Sequence, residues 1–178
     1  MKVESQYSIF SKLMKEILIS ASIVDFEALK PRIAVRAFII KDNSRKILVQ
    51  HLELKDIFTI PGGGQEDGET LEETVIREVK EETGYECEIV RLLMVIKEYR
   101  EEHDFSQVNY CYIVKAMNKG SSSLTDKELS LKIRCDWMDV DEYKHILESK
   151  VVDDIQMSYV RKRDIAMINE YLSSFEQI

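Results

Sequence analysis

The chain has 178 residues, 44% of them hydrophobic, and a formal net charge of -8. That length buries one substantial core but falls short of two full-sized domains. The acidic balance argues against a surface that grips nucleic acid by neutralising phosphates, so no stable DNA or RNA binding is expected. No apolar run reaches the roughly eighteen residues a membrane helix needs. Charges at Glu4, Lys12, Lys15 and Glu16 break up the N-terminal apolar stretches, so neither a membrane span nor a secretory leader is expected. The protein reads as soluble and cytoplasmic. Cys87, Cys111 and Cys135 are widely spaced without paired ligand spacing, and read as reduced packing residues.

From Tyr7 to Leu18 the apolar positions recur at helical spacing, which predicts an amphipathic helix within an N-terminal extension covering residues 1–30. A homodimer contact and a cover over a pocket are both open as its role. Beyond Pro31, the runs Ile33 to Ile40 and Lys46 to Gln50 flank an Asp42-Asn43-Ser44 turn and predict a β-hairpin. A short strand from Ile57 to Ile60 leads into Pro61 and three glycines, and two more strands are expected between Cys87 and Tyr99. Apolar positions from Gln107 to Ala116 suit a mainly buried strand, and another strand is expected near Ile133 to Met138. A short helix capped by Asp139, with Glu142 at its third position, and a last helix from about Asp153 or Asp154 to Phe175 complete the order.

The stretch most informative about chemistry is Pro61 to Tyr85, PGGGQEDGETLEETVIREVKEETGY. Thr70 followed by Glu73 is a capping box, and Gly84 stands where a left-handed residue would end a helix, so a helix over 71–83 is predicted. Glu78, Glu81 and Glu82 stand at i, i+3 and i+4 and share one face, while Val75, Ile76 and Val79 occupy the neighbouring arc. Adjacent carboxylates repel one another, and a hard divalent cation with oxygen ligands offsets that cost. A solvated acidic helix face is the plain alternative. Arg77 beside Glu78 also reads as a surface ion pair, and the glycines as a simple turn.

The joint spacing discriminates between these readings. Gly63, Glu69, Arg77, Glu78, Val79, Glu81, Glu82 and Gly84 resemble the signature of the Nudix hydrolase family at eight defined positions. Tyr85 departs from it, standing where the family has a bulky aliphatic residue, and is expected to affect packing more than chemistry. The resemblance implies an α/β fold, an α/β/α sandwich around a mixed β-sheet, formed by residues 31–178. It also implies Mg2+, or Mn2+, held by Glu78, Glu81 and Glu82 with the backbone carbonyl of Gly63. Arg77 paired with Glu69 would orient Glu78, and Gly84 would end the helix. The reaction implied is attack of water on a phosphorus of a small nucleotide substrate.

The general base is open between Glu78 and the downstream Glu128, with Glu98, Glu101 and Glu102 as alternatives; Glu128 also reads as an ordinary exposed glutamate. Arg36, Phe58, and Tyr99 or Tyr110 are candidates for phosphate or base contacts, and each also reads as a packing or surface residue. An (oxo-)dNTP or other nucleoside triphosphate is the favoured substrate. The alternatives are ADP-ribose, a nucleotide sugar or a dinucleoside polyphosphate. ADP-ribose is weakened because Tyr99 stands where such relatives often carry proline. A nucleotide-sensing, non-catalytic Nudix domain is the competing class, disfavoured because every carboxylate of the signature is present.

Overall fold

The computed structural model describes residues 15–41, 45–150 and 154–174. A seven-stranded sheet forms its middle layer, in the order β1-β5-β6-β2-β3-β4, with β7 pairing β3. The strands are β1 (Glu16–Ile19), β2 (Arg32–Ile40), β3 (Lys46–Leu52), β4 (Ile57–Thr59), β5 (Tyr85–Arg100), β6 (Phe105–Lys119) and β7 (Ile133–Asp139). β1 runs parallel to β5 and β2 parallel to β6, while the other pairs are antiparallel, so the sheet is mixed. The helices are α1 (Leu71–Thr83), α2 (Asp126–Ser130), α3 (Val140–Ser149) and α4 (Ile155–Ser173).

The sheet separates two apolar clusters. On one face Val75 and Val79 of α1 pack against Val35, Ala37, Ile39, Leu48, Tyr112 and Val114. On the other, Tyr143 and Leu147 of α3 and Tyr159, Met167 and Ile168 of α4 cover Phe38, Val49, Met94 and Ile113. Central strands therefore bury both faces, which explains the near-continuous apolar run in β6. This is the expected α/β/α sandwich. Among the described residues no helix is long and apolar enough to cross a membrane.

Local expectations and structure differ at four places. The expected N-terminal helix lies largely outside the described residues, but Glu16–Ile19 forms strand β1. Its backbone pairs with the edge of β5, from Glu16 against Val95 to Ile19 against Glu98, satisfying groups that an edge strand would otherwise leave open. The two strands expected between Cys87 and Tyr99 are one long strand, β5, whose register shifts near Cys87, Arg91 and Met94 produce the apparent break. Ile76 is exposed, so only Val75 and Val79 of the predicted apolar arc reach the core. Asp139 caps α3 through the backbone N–H of Asp141 instead of forming a box with Glu142.

Candidate active site

Pro61 to Gln65 form a ribbon that runs beside β2. Ala37 N donates to Pro61 O and Val35 N to Gly63 O, both at 2.9 Å, and Gln65 N donates to Ile33 O at 3.1 Å. The approach is close enough to exclude side chains. Gly62 has φ 139°, and a Cβ there would collide with the Val35 carbonyl; at Gly63 a Cβ would collide with the Glu78 carboxylate. The ribbon's carbonyls are also spoken for: Gly62 O accepts from Arg36 Nη1, and Gly64 O from Arg77 Nη2 at 3.1 Å.

α1 follows, capped as its sequence dictates. Thr70 Oγ1 accepts from Glu73 N, the Glu73 carboxylate accepts from Thr70 N at 2.8 Å, and Gly84 takes φ 75° at the other end. Beyond it, Gly120 N donates to Gly84 O and Ser123 N to Glu81 O, both at 2.7 Å. This stitching draws the segment carrying Thr125 and α2 to the rim of the box.

Arg77 organises the helix face. Its Nε and Nη2 grip the two oxygens of Glu69 at 2.6 and 3.0 Å, while Nη1 reaches Glu78 at 2.9 Å and Glu81 at 3.1 Å. The forked pair holds the Glu69 carboxyl down at about 2, chiefly through the Arg77 hydrogen bonds. Glu82 is buried, accepts from Gly62 N at 2.7 Å, and is pushed up to about 7 by desolvation and then by the charge of Glu78. Burial also raises Glu78, against the opposing pull of Arg77. Glu81 is half exposed. The three carboxylates border one cleft of about 330 Å3, together with Arg32, Gly64 and Thr125. Among the described residues no three His, Cys, Asp or Glu side chains form a ready metal cage, and the Arg77 guanidinium bridges Glu78 and Glu81.

The other sequence candidates separate. Glu128 belongs to α2, three residues beyond the cleft-lining Thr125, but its side chain lies outside the described residues. Arg36 is half-buried behind the ribbon, bonded to Gly62 O and, at 3.2 Å, to Asn109 Oδ1. Phe58 stacks on His51 with ring centroids 4.2 Å apart and has the Lys150 ammonium 5.3 Å from its centre, away from the carboxylates. Tyr99 donates to Asp104 Oδ1 at 3.1 Å and packs on the Phe26 cluster; neither it nor Phe58 borders the carboxylate cleft. Glu98 is wholly buried on Asn109 and Arg100. Tyr85, the departure from the signature, meets Trp137 edge to face at 5.8 Å and accepts its indole N–H, so its ring is absorbed by packing.

Sequence reasoning missed Arg32, which lies on the cleft wall and is fixed by Gln107 Oε1 at 3.0 Å. It also missed Gln50 and Arg163, which line a second pocket sharing Glu82 with the cleft. Alternation in β3 could have marked Gln50 as a polar residue among buried ones; nothing local marks Arg163.

A loop, helix and loop that gathers glutamates at the edge of an α/β/α sandwich defines a Nudix-type domain. A family model for the NUDIX domain matches residues 30–157, and the chain belongs to the Nudix hydrolase family. The ADP-ribose pyrophosphatase of Methanocaldococcus jannaschii is 47% identical over 70 residues, 38% of this chain and 40% of that one. The nucleoside diphosphate-linked moiety X motif 6 protein of Mus musculus is 29% identical over 112 residues, 62% of this chain and 35% of its own length. The chain thus spans less than half the length of these curated relatives. Among solved structures, a NUDIX hydrolase from Nitrosomonas europaea shares the fold with a TM-score of 0.62 at 20% identity, covering 82% of this chain and 90% of the other.

Proposed function

We propose that the chain hydrolyses a phosphoanhydride in a nucleoside diphosphate linked to a further phosphate or sugar, with Mg2+ or Mn2+ as its cofactor. The observation that carries this reading is the pair of desolvated carboxylates, Glu78 and Glu82, set against the glycine ribbon at the rim of one cleft with Glu81. Burying like charges together costs stability, and a divalent cation relieves that cost. The donor set fits a hard cation: all are oxygens, and the missing side chain at Gly63 leaves the Glu78 carboxylate its room. Glu78, Glu81 and Glu82 would hold the ion, with the second lone pair of the Gly63 carbonyl as a further ligand beside its bond to Val35 N. A bound ion would supply polarisation of a phosphoryl oxygen and a more acidic water.

The chain's own groups do the rest. Arg77, locked by Glu69, keeps Glu78 turned toward the ribbon. Arg32 presents a fixed guanidinium at the cleft wall for a phosphate. Glu78, whose proton affinity burial raises, is our assignment for the base that takes a proton from the attacking water; Glu128, on the segment stitched to Glu81, is the alternative. The name of the M. jannaschii relative supports a sugar-bearing diphosphate, and the signature supports nucleoside triphosphates equally. Release of phosphate or nucleoside monophosphate from a panel of nucleoside triphosphates, ADP-ribose, nucleotide sugars and dinucleoside polyphosphates tests the reading. Turnover with Mg2+ or Mn2+ that a chelator abolishes is expected; no turnover of any member overturns it.

A further inference from the structure

One face of the sheet changes character beside the cleft. Cys111 and Ile113 of β6 belong to the apolar core, yet Gln107 and Asn109, which precede them on the same face, are polar and buried, as is Glu98 on β5. Register sets Arg32 opposite Gln107, and Gln107 opposite Glu98. Apolar side chains would serve the fold better there, since buried polar groups cost stability unless each finds its partners. These do, in one consistent sense. As a carboxylate, Glu98 only accepts: Oε1 takes Asn109 Nδ2 at 2.8 Å, and Oε2 takes Nε and Nη2 of Arg100 at 3.2 and 2.7 Å. Asn109 Oδ1 therefore faces the other way and accepts from Gln107 Nε2 at 2.7 Å and Arg36 Nε at 3.2 Å. Gln107 is left with Oε1 toward Arg32, whose Nη1 donates to it at 3.0 Å. An acceptor at one end and a donor at the other fix the sense of both amides between them.

This chain of bonds holds Arg32 without neutralising it. Arg77 is matched within the chain by Glu69, Glu78 and Glu81. Among the described residues no carboxylate pairs with Arg32; its partner is a neutral amide, and Glu98, whose charge Arg100 takes up, stands two amides away. The Arg32 guanidinium also lies where a Cβ at Gly64 would stand, so the ribbon leaves room for it beside the cleft. We propose that Glu98, Asn109 and Gln107 are positioning residues, a relay that aims Arg32 across Gly64 and keeps its charge for a phosphate of the substrate. The proposal rests on the hydrolase reading above and adds what sets its phosphate contact. It has a particular consequence at Glu98. Glutamine there would offer its oxygen to Arg100 and its NH2 to Asn109, reversing Asn109 and then Gln107, so that an amide donor would meet the Arg32 donors.

The test is a double-mutant cycle on whichever member of the substrate panel turns over, with Mg2+. Arg32→Met, Gln107→Met and Glu98→Gln, all close in volume to the residues they replace, should each raise KM on the order of tenfold. In the Arg32→Met background, neither Gln107→Met nor Glu98→Gln should raise KM further, because both act through that guanidinium. Any disturbance of the ribbon through Arg36 falls on kcat instead. Nitrogen-15 relaxation of the Arg32 Nε–H, without metal or substrate, should show an ordered group in the wild type that both Gln107→Met and Glu98→Gln loosen. KM effects that multiply in the double variants, or an Arg32 signal equally ordered in Gln107→Met and Glu98→Gln, overturn the proposal. Turnover with KM unmoved by either change removes the relay and leaves the hydrolase reading. A loosened Arg32 in a chain that turns over no member of the panel does the reverse.

Discussion

The two faces of the glycine ribbon treat buried charge in opposite ways. In front, Glu78 and Glu82 lie buried beside one another, and their proton affinities rise chiefly through desolvation, which the charge of Arg36 only opposes. Behind, Asp164 is fully buried but satisfied: it accepts from Ile60 N at 3.0 Å, Tyr143 Oη at 2.7 Å and Arg163 Nε at 2.8 Å. The rear network holds the fold, and the front cluster is under electrostatic tension that a ligand could release. Equivalent substitutions on the two sides should therefore separate activity from stability.

The largest effect is expected in front. Glu82→Gln and Glu81→Gln should each lower turnover on the order of 10³-fold, since each removes an oxygen donor from the proposed ion. The melting temperature should hold or rise in Glu82→Gln, because the change removes a desolvated charge. Wild-type rates in either variant would sink the assignment. Behind the ribbon the sign reverses. Asp164→Ala leaves the Arg163 guanidinium buried and unpaired, a loss of about 3–5 kcal/mol, and should lower the melting temperature by about 10 °C. A melting temperature within about 2 °C of wild type would mean that the rear network does not carry the fold.

Legibility follows the same division. The front was readable because its determinants are local: Thr70 and Glu73 cap one end of α1, Gly84 the other, and residues from Glu69 to Glu82 lie within four turns. The rear network joins Asp164 to Ile60 across 104 positions, and no short-range pattern encodes a contact of that span. β1 was misread for the same reason, since its partner in β5 lies about eighty residues away and the spacing near Leu18 satisfies a helix equally well. Phe58 and Tyr99 looked available from sequence because aromatic residues are scored by type; His51, Lys150 and Asp104 claim them in the structure.

Arg77→Lys probes the contact that keeps the front cluster in order. Lysine retains the charge but not the fork that grips both oxygens of Glu69 while reaching Glu78, Glu81 and Gly64 O. Turnover should fall by about 10- to 100-fold, with a change of only a few degrees in melting temperature. A variant that melts early with normal activity would make Arg77 a structural clamp alone.

The smallest effect is a pH dependence of stability that differs in sign between two glutamates of the same segment. Glu82 has its carboxyl raised from an ordinary 4.5 to about 7, so the folded chain binds more protons than the unfolded one between those values. Its contribution is fully present below 4.5 and is lost as pH rises toward 7. Glu69 is lowered from 4.5 to about 2, so its contribution is present above 4.5 and is lost as pH falls toward 2. Thermal unfolding of wild type, Glu82→Gln and Glu69→Gln, each across both windows and without divalent cation, resolves the two. Glu82→Gln should flatten the curve between 4.5 and 7 only, and Glu69→Gln should flatten it below 4.5 only. Adding Mg2+ to the wild type should offset the loss in the upper window, since an ion bound to the charged carboxylates favours the folded state. If Mg2+ leaves that window unchanged, the tension in the front cluster is not relieved by a cation, and the contrast between the two faces of the ribbon loses its functional meaning.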